Sequence, residues 1–279
     1  MVPQPETERH ATRDHRSLDW TTVTRYQQIA TAARTFVIAL LYACGLHAAT
    51  FVEPHTQMKF VLIPAGSFNM GSPTTEKDHR PDEGLHRVTI SRPFYLGAFE
   101  VTQAQWTAVM GYNHSQLRGH GEQVPVETVT WFEVQEFLRR LNELHEGHFR
   151  LPTEAEWEYA CRAGSKTAYA FGNRLRKTQA NFDGKTTVPV GSYEPNAWGL
   201  YDMHGNVWEW CADEVCPYPR TAVVDPRQSC GSRFKPIRGG SWYFGADSAR
   251  SALRYTHEPQ LKGFSIGFRV VRDTAEAAR

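Results

Sequence analysis

Residues Gly199–Trp210 read GLYDMHGNVWEW, and the reading of this stretch decides what kind of domain the chain forms. Two tryptophans flank Glu209, a Gly-Asn pair precedes them, and Asp202 sits just after a glycine turn. Each indole buries a large apolar area and carries one N–H that seeks a partner. Asp202, Asn206 and Glu209 add side-chain oxygens within one short, kinked segment. Oxygen donors crowded beside backbone carbonyls on a bent chain are what a hard cation such as Ca²⁺ selects. The same residues also describe a turn that knots a core together, with Asp and Asn as turn formers. The residues alone leave both readings open.

Around this stretch, 279 residues with 41% hydrophobic and 22% charged side chains are enough for one substantial domain or two small ones, and too apolar for a disordered chain. The formal net charge of +1 offers no basic surface for a nucleic-acid backbone, so no nucleic-acid partner is expected and specificity must come from local sites. Eight tryptophans, eleven tyrosines and fifteen phenylalanines beside 21 glycines and 16 prolines point to a loop-rich fold whose connections are pinned by aromatic rings.

Residues 1–50 read as leader and linker. Phe36-Val37-Ile38-Ala39-Leu40-Leu41-Tyr42-Ala43 is too short to span a bilayer comfortably but suits the apolar core of a signal peptide. Leu41-Tyr42-Ala43-Cys44-Gly45 resembles a bacterial lipoprotein cleavage box, with Cys44 as the lipidated residue, and His47-Ala48-Ala49 offers a weaker ordinary cleavage site. The long polar run before it also fits a short membrane anchor, and a buried helix is the plain alternative. The reading is export, to the periplasm or cell surface, with possible membrane anchoring through this segment. In an oxidising compartment Cys216 and Cys230, which flank a Pro-rich loop, can close it with a disulfide, although sequence does not fix the pairing. None of the five cysteines has zinc-ribbon spacing, and Cys161 reads as a buried thiol.

The domain itself is expected over 58–273. Phe60–Pro64, Ala65–Ser72, His86–Ile90 and Phe94–Gly97 read as short strands. Thr102–Gln105, Thr130–Glu133 and Thr153–Glu156 each form a capping box that starts a helix. The middle helix carries Val134, Phe137, Leu138, Leu141 and Leu144 as one apolar stripe. From Ser165 helix signals fade into turn-rich backbone, and strands return at Ile237–Trp242, Ser251–Arg254 and Gly267–Val271.

Six ordered motifs carry a resemblance. Ile63–Gly71, Glu100–Trp106, Arg150–Ala160 (RLPTEAEWEYA), Gly199–Trp210, Arg238–Trp242 (RGGSW) and Gly267–Arg269 (GFR) stand in the order seen in the formylglycine-generating enzyme, or sulfatase-modifying factor, family. The resemblance implies an α+β, C-type-lectin-like formylglycine-generating-enzyme fold, a single domain with low regular secondary structure. The family's oxidases convert a cysteine of a sulfatase Cys-x-Pro-x-Arg segment to formylglycine with copper(I) held by two thiolates, soft ligands that select that ion. Here the matching segment Trp242–Arg250 contains no cysteine, and Phe244 and Ala249 cannot bind copper. Copper is therefore not expected, nor is an iron centre, because His204 and His257 are isolated. An oxidase acting on sulfatase-type cysteines through a non-standard metal site is the alternative.

The resemblance implies a structural calcium site at Asp202, Gly205, Val207 and Glu209, the middle two through their carbonyls. A second family site would start at Asn181 and Phe182, but its later ligands fall in a shortened loop. The ligand-facing surface implied is Trp208, Ser241, Trp242, Tyr243, Phe244, Arg254, Tyr255 and His257, aromatics with one Arg that grip a peptide, protein or glycan by stacking and a charge-assisted hydrogen bond. Core packing is the alternative for each.

Overall fold

The computed structural model describes residues 49–144 and 147–274, so the apolar run before Cys44 and the proposed cleavage sites lie outside the described residues. The sheet that organises the domain has the strand order β1-β2-β5-β12-β6, built from β1 (Thr50–Val52), β2 (Lys59–Ile63), β5 (Phe94–Gly97), β12 (Val271–Asp273) and β6 (Phe149–Arg150), all antiparallel neighbours. Side chains alternate between the faces of a strand, and here both faces are covered. Phe60 enters a core shared with Trp106, Phe137 and Phe268, whereas Val61 and Ile63 enter a second core around Trp157. β1 pairs with β2, so residues ahead of the expected Met58 join this sheet.

The three capping boxes start three helices, α1 (Gln103–Met110), α2 (Trp131–Leu144) and α3 (Glu154–Arg162). Thr102 and Gln105 exchange reciprocal bonds, as do Thr130 with Glu133 and Thr153 with Glu156, which satisfies amides that the first turn leaves free. The α2 stripe packs inward except Leu144, which is exposed at the last turn. Trp106 of α1 lies flat on Phe137 of α2 at 5.5 Å.

α3 differs from an ordinary amphipathic helix, because every one of its residues is buried, including Glu154, Glu156, Glu158 and Arg162. Buried carboxylates need partners. Arg238 donates to Glu154 at 2.9 Å and to Glu158 at 2.6 Å, and Arg162 to Glu158 at 2.9 Å. The helix N-terminus is closed by Asp213, which accepts the Glu154 amide at 2.6 Å.

Two smaller sheets frame the loop-rich half. One has the order β3-β4-β8, from β3 (Gly66–Met70), β4 (His86–Ile90) and β8 (Val223–Val224). The other has the order β10-β9-β7-β11, from β10 (Tyr255–His257), β9 (Lys235–Arg238), β7 (Trp208–Trp210) and β11 (Ile266–Gly267). Two expectations are corrected here. Ser251–Arg254 is a turn, because the Ser251 and Ala252 carbonyls bend round to accept Arg238, and the strand begins at Tyr255. Gly267–Val271 is divided between β11 and β12, so one short segment serves two sheets. A disulfide joins Cys216 to Cys230, and Cys161 and Cys211 are buried free thiols.

Candidate functional site

Gly199–Trp210 lies at the junction of the two cores, and its backbone explains its composition. Asp202, Gly205 and Asn206 all have left-handed φ, of 56°, 97° and 57°, a region that Gly, Asn and Asp tolerate best. A Cβ on Gly205 would meet the Asn181 carbonyl at 2.2 Å, so glycine is required for the chains to approach. Asn206 then acts as a hub. Its amide donates to Glu100 at 2.7 Å, and its oxygen accepts from Asn181 and from the Val188 amide, each at 3.1 Å.

Glu209 is fully buried and held on three sides. Arg269 of the GFR motif donates to both of its oxygens at 2.6 Å, and the Trp157 indole donates to Oε2 at 2.7 Å. Among the described residues, Arg269 is the guanidinium facing three buried carboxylates, Glu100, Asp202 and Glu209. The surplus negative charge shows in the titration of Glu100 and Asp202. Burial, then the charges of Asp202 and Glu209, push the Glu100 carboxyl well up, and burial raises Asp202 to about 6 against the Gly191 amide bond and the Arg269 charge. Asp202 accepts only the Gly191 amide among the described residues and so keeps lone pairs for a hard cation, whereas both Glu209 oxygens are already taken by Arg269 and Trp157. At the second family site Lys177 donates to the carbonyls of Phe182 and Asp183, so a side-chain ammonium already occupies that position.

The implied ligand residues separate into three groups. Trp208, Phe244 and Tyr255 come together as walls of a cleft of about 280 Å³, with Asp78, Arg80 and Asp247 at its rim. Their rings are 5.8 Å apart (Trp208 to Phe244) and 5.7 Å apart (Trp208 to Tyr255). Tyr255 is 47% exposed and Phe244 38% exposed. Tyr243, 57% exposed, continues the aromatic row against Phe244 and Phe264. Ser241 and Trp242 are buried beside the cleft, and their Oγ and Nε1 have no hydrogen-bond partner among the described residues. His257 packs edge-on against Trp210 and is not among the cleft-lining residues.

Arg254 stands apart from the aromatic cleft. It is buried, forks onto Glu154 at 2.8 and 2.9 Å and donates to the Cys216 carbonyl at 2.8 Å, so its charge is paired within the α3 network. The cleft residues not expected as ligand-facing from the sequence are Asp78, Arg80, Asp247, Ser248, Arg250 and Leu253.

The positions of the family's copper thiolates do not fit copper. Phe244 presents a ring to the cleft, and Ala249 is fully buried beneath Gly240, where an added Cβ would lie 2.9 Å from the Ala249 Cα. The thiols of Cys161 and Cys211 lie in the core, where burial raises both pKa values, Cys161 to about 12. His204 beside Cys161 is satisfied: Nδ1 donates to the Ala249 carbonyl at 2.7 Å, Nε2 accepts the Ala170 amide at 3.0 Å, and burial lowers its pKa to about 4.

Fold and site together define a C-type-lectin-like α+β domain with an aromatic cleft and an acidic knot beneath it. Residues 48–274 match the sulfatase-modifying factor enzyme 1-like domain, and the chain belongs to this formylglycine-generating-enzyme family. It is 37% identical to the formylglycine-generating enzyme of Streptomyces coelicolor over 216 residues, covering 69% of this chain and 65% of that one. It is 30% identical over 256 residues to the serine/threonine-protein kinase pkn1 of Chlamydia pneumoniae, covering 79% of this chain but 39% of that protein, so the chain spans about two fifths of that relative. The structure of PvdO from Pseudomonas aeruginosa superposes with a TM-score of 0.73 at 31% identity, over 82% of this chain and 99% of that one.

Proposed function

We propose that this is a non-copper member of the family, exported, that uses the aromatic cleft to bind a peptide, protein or glycan. The observation that carries the reading is the substitution at the family's reaction centre. Phe244 and Ala249 stand where thiolates would hold copper, and Phe244 has become a wall of the cleft with Trp208 and Tyr255. Half-exposed rings around a concave surface are the common form of a ligand site. Support for export comes from the signal-like run before Cys44 and from the Cys216–Cys230 disulfide, a bond favoured outside the cytosol. Membrane anchoring through Cys44 belongs to the same reading. A structural calcium ion at Asp202, Glu209 and the carbonyls of Gly205 and Val207 would offset the surplus charge and stiffen the cleft floor, with no part in chemistry.

The test is capture on printed peptide and glycan arrays by the labelled protein beside a Phe244→Ala/Tyr255→Ala variant. Features bound by the first and lost by the second support the reading. No feature that separates the two proteins would overturn it.

A further inference from the structure

The aromatic cleft does not end at its rim. Asp78, Asp247 and Arg250 line it, and the same three residues line a second pocket of about 630 Å³ that runs on towards Lys77, Asn173 and Arg174. The two pockets therefore lie side by side, with Asp78, Asp247 and Arg250 as the waist between them. The waist is rigid, because Glu83 accepts both ends of the Arg250 fork at 2.6 and 2.9 Å and Glu76 accepts at 2.8 Å. Arg250 also donates to the Asp78 carbonyl at 2.7 Å, which holds Asp78 at a left-handed φ of 63°. At the far end Tyr169 donates to the Ala246 carbonyl at 2.8 Å and ties the two walls of the second pocket together.

The groove is built but not used internally. Arg250 is 1% exposed, yet its Nε has no partner among the described residues. A buried N–H of this kind is costly unless something accepts it. The carboxylates of Asp78 and Asp247, the Lys77 ammonium and the Arg174 guanidinium likewise form no ion pair or side-chain hydrogen bond among the described residues, although all are in the lining. These two acids balance these two bases. Arg250 is shared between Glu83 and Glu76, at 2.6 and 2.8 Å, and Arg80 turns to Asp82 at 3.4 Å. The lining thus mixes donors and acceptors of both signs, with no run of like charge to select a strongly acidic or basic segment.

We propose that this continuous groove binds a neutral oligosaccharide, with one sugar ring stacked on Tyr255 and Phe244 and later hydroxyls on Asp247, Asp78, Arg250 Nε and Asn173. A hydroxyl both donates and accepts, so it satisfies carboxylate and guanidinium alike. The C–H face of a sugar ring covers an exposed aromatic ring without bringing charge. A groove that is apolar at one end and evenly polar at the other matches that chemistry along its length. The inference rests on the cleft being a binding site and names its ligand class.

The test is native affinity electrophoresis of the full chain in gels containing soluble β-glucan, xylan, galactomannan or dextran, with serum albumin as the unretarded reference. At least one polysaccharide should retard the protein. The apparent affinity should fall at least about tenfold, equivalent to about 1.4 kcal/mol, in Tyr255→Ala and separately in Asp247→Ala. Both side chains are exposed, and unchanged thermal melts would confirm intact folding. No retardation in any gel overturns the proposal, as does retardation of both variants equal to that of the native protein. Loss in Tyr255→Ala with full retardation of Asp247→Ala would confine binding to the aromatic cleft and overturn the continuous groove. Peptide features captured through Phe244 and Tyr255 on the arrays, with no retardation here, would sink the glycan while leaving the binding reading standing.

Discussion

Replacing Glu209 by Gln tests whether the knot beneath the cleft is held by charge. The change keeps shape and removes one unit of charge from a site with no solvent. Arg269 donates to both Glu209 oxygens, and Trp157 to one of them. Glutamine offers one acceptor oxygen and turns an N–H₂ towards the other guanidinium N–H. Removing one partner of a buried pair costs about 3–5 kcal/mol. The lower end applies here for two reasons. Arg269 keeps its bonds to the carbonyls of Gly97 and Tyr201, each at 3.0 Å, and Glu100 ionises more easily once Glu209 no longer repels it. A loss of about 3 kcal/mol is a large share of a typical 5–15 kcal/mol, and lowers the melting temperature of a domain this size by roughly 6–12 °C. Urea unfolding followed by tryptophan fluorescence measures it, with Glu136→Gln, whose partners Arg139 and Arg140 lie on the solvent side, as the mild control. A loss below about 1 kcal/mol, the range of an exposed pair, would refute the buried-knot account.

Three further outcomes follow from the same structure. Reducing the Cys216–Cys230 disulfide, which closes a loop with a sequence separation of 14, should cost about 3 kcal/mol; an unchanged melt in reductant would count against it. Asp213 has a folded pKa raised to about 6, by burial and then by Glu154. The folded state therefore holds a proton that the unfolded chain, with a carboxylate pKa of about 3.9, has already released, so this group makes stability fall as pH rises from about 4 to about 6 and changes little above. Asp213→Asn should flatten that slope by up to about 3 kcal/mol, and an unaltered profile would show that Asp213 is not the titrating group. Chelator should lower the melting temperature of the native protein but not of Asp202→Gly, which the left-handed backbone there accepts and which removes every side-chain oxygen; equal shifts in both would remove Asp202 from the calcium site.

Much of this was legible in the sequence where the signal is local. The three capping boxes each involve residues three apart, and all three helices begin where those boxes stand. The left-handed turns at Asp202, Gly205 and Asn206 follow from residue types that tolerate them. What sequence did not show depends on pairs far apart along the chain. Arg254 reads as a ligand-gripping charge among aromatics, but its carboxylate partner, Glu154, lies a hundred residues earlier on a helix whose polar residues look solvent-facing. The division of Gly267–Val271 between two sheets has no periodic signature, because each piece is too short to alternate. The groove draws its walls from Lys77–Asp78, Ala168–Leu175 and Ala246–Arg250, three segments far apart along the chain, so only the folded backbone brings them together.

The most direct measurement of the central claim is chemical. The purified protein is loaded with Cu(I), offered a Cys-x-Pro-x-Arg peptide under O₂, and the peptide is read by mass spectrometry for the aldehyde. With Phe244 and Ala249 at the thiolate positions and the Cys161 and Cys211 thiols sealed in the core, the account predicts intact cysteine and no formylglycine. Copper-dependent formylglycine that disappears in a Cys161→Ser/Cys211→Ser variant would contradict it, and would return the domain to the family's oxidases.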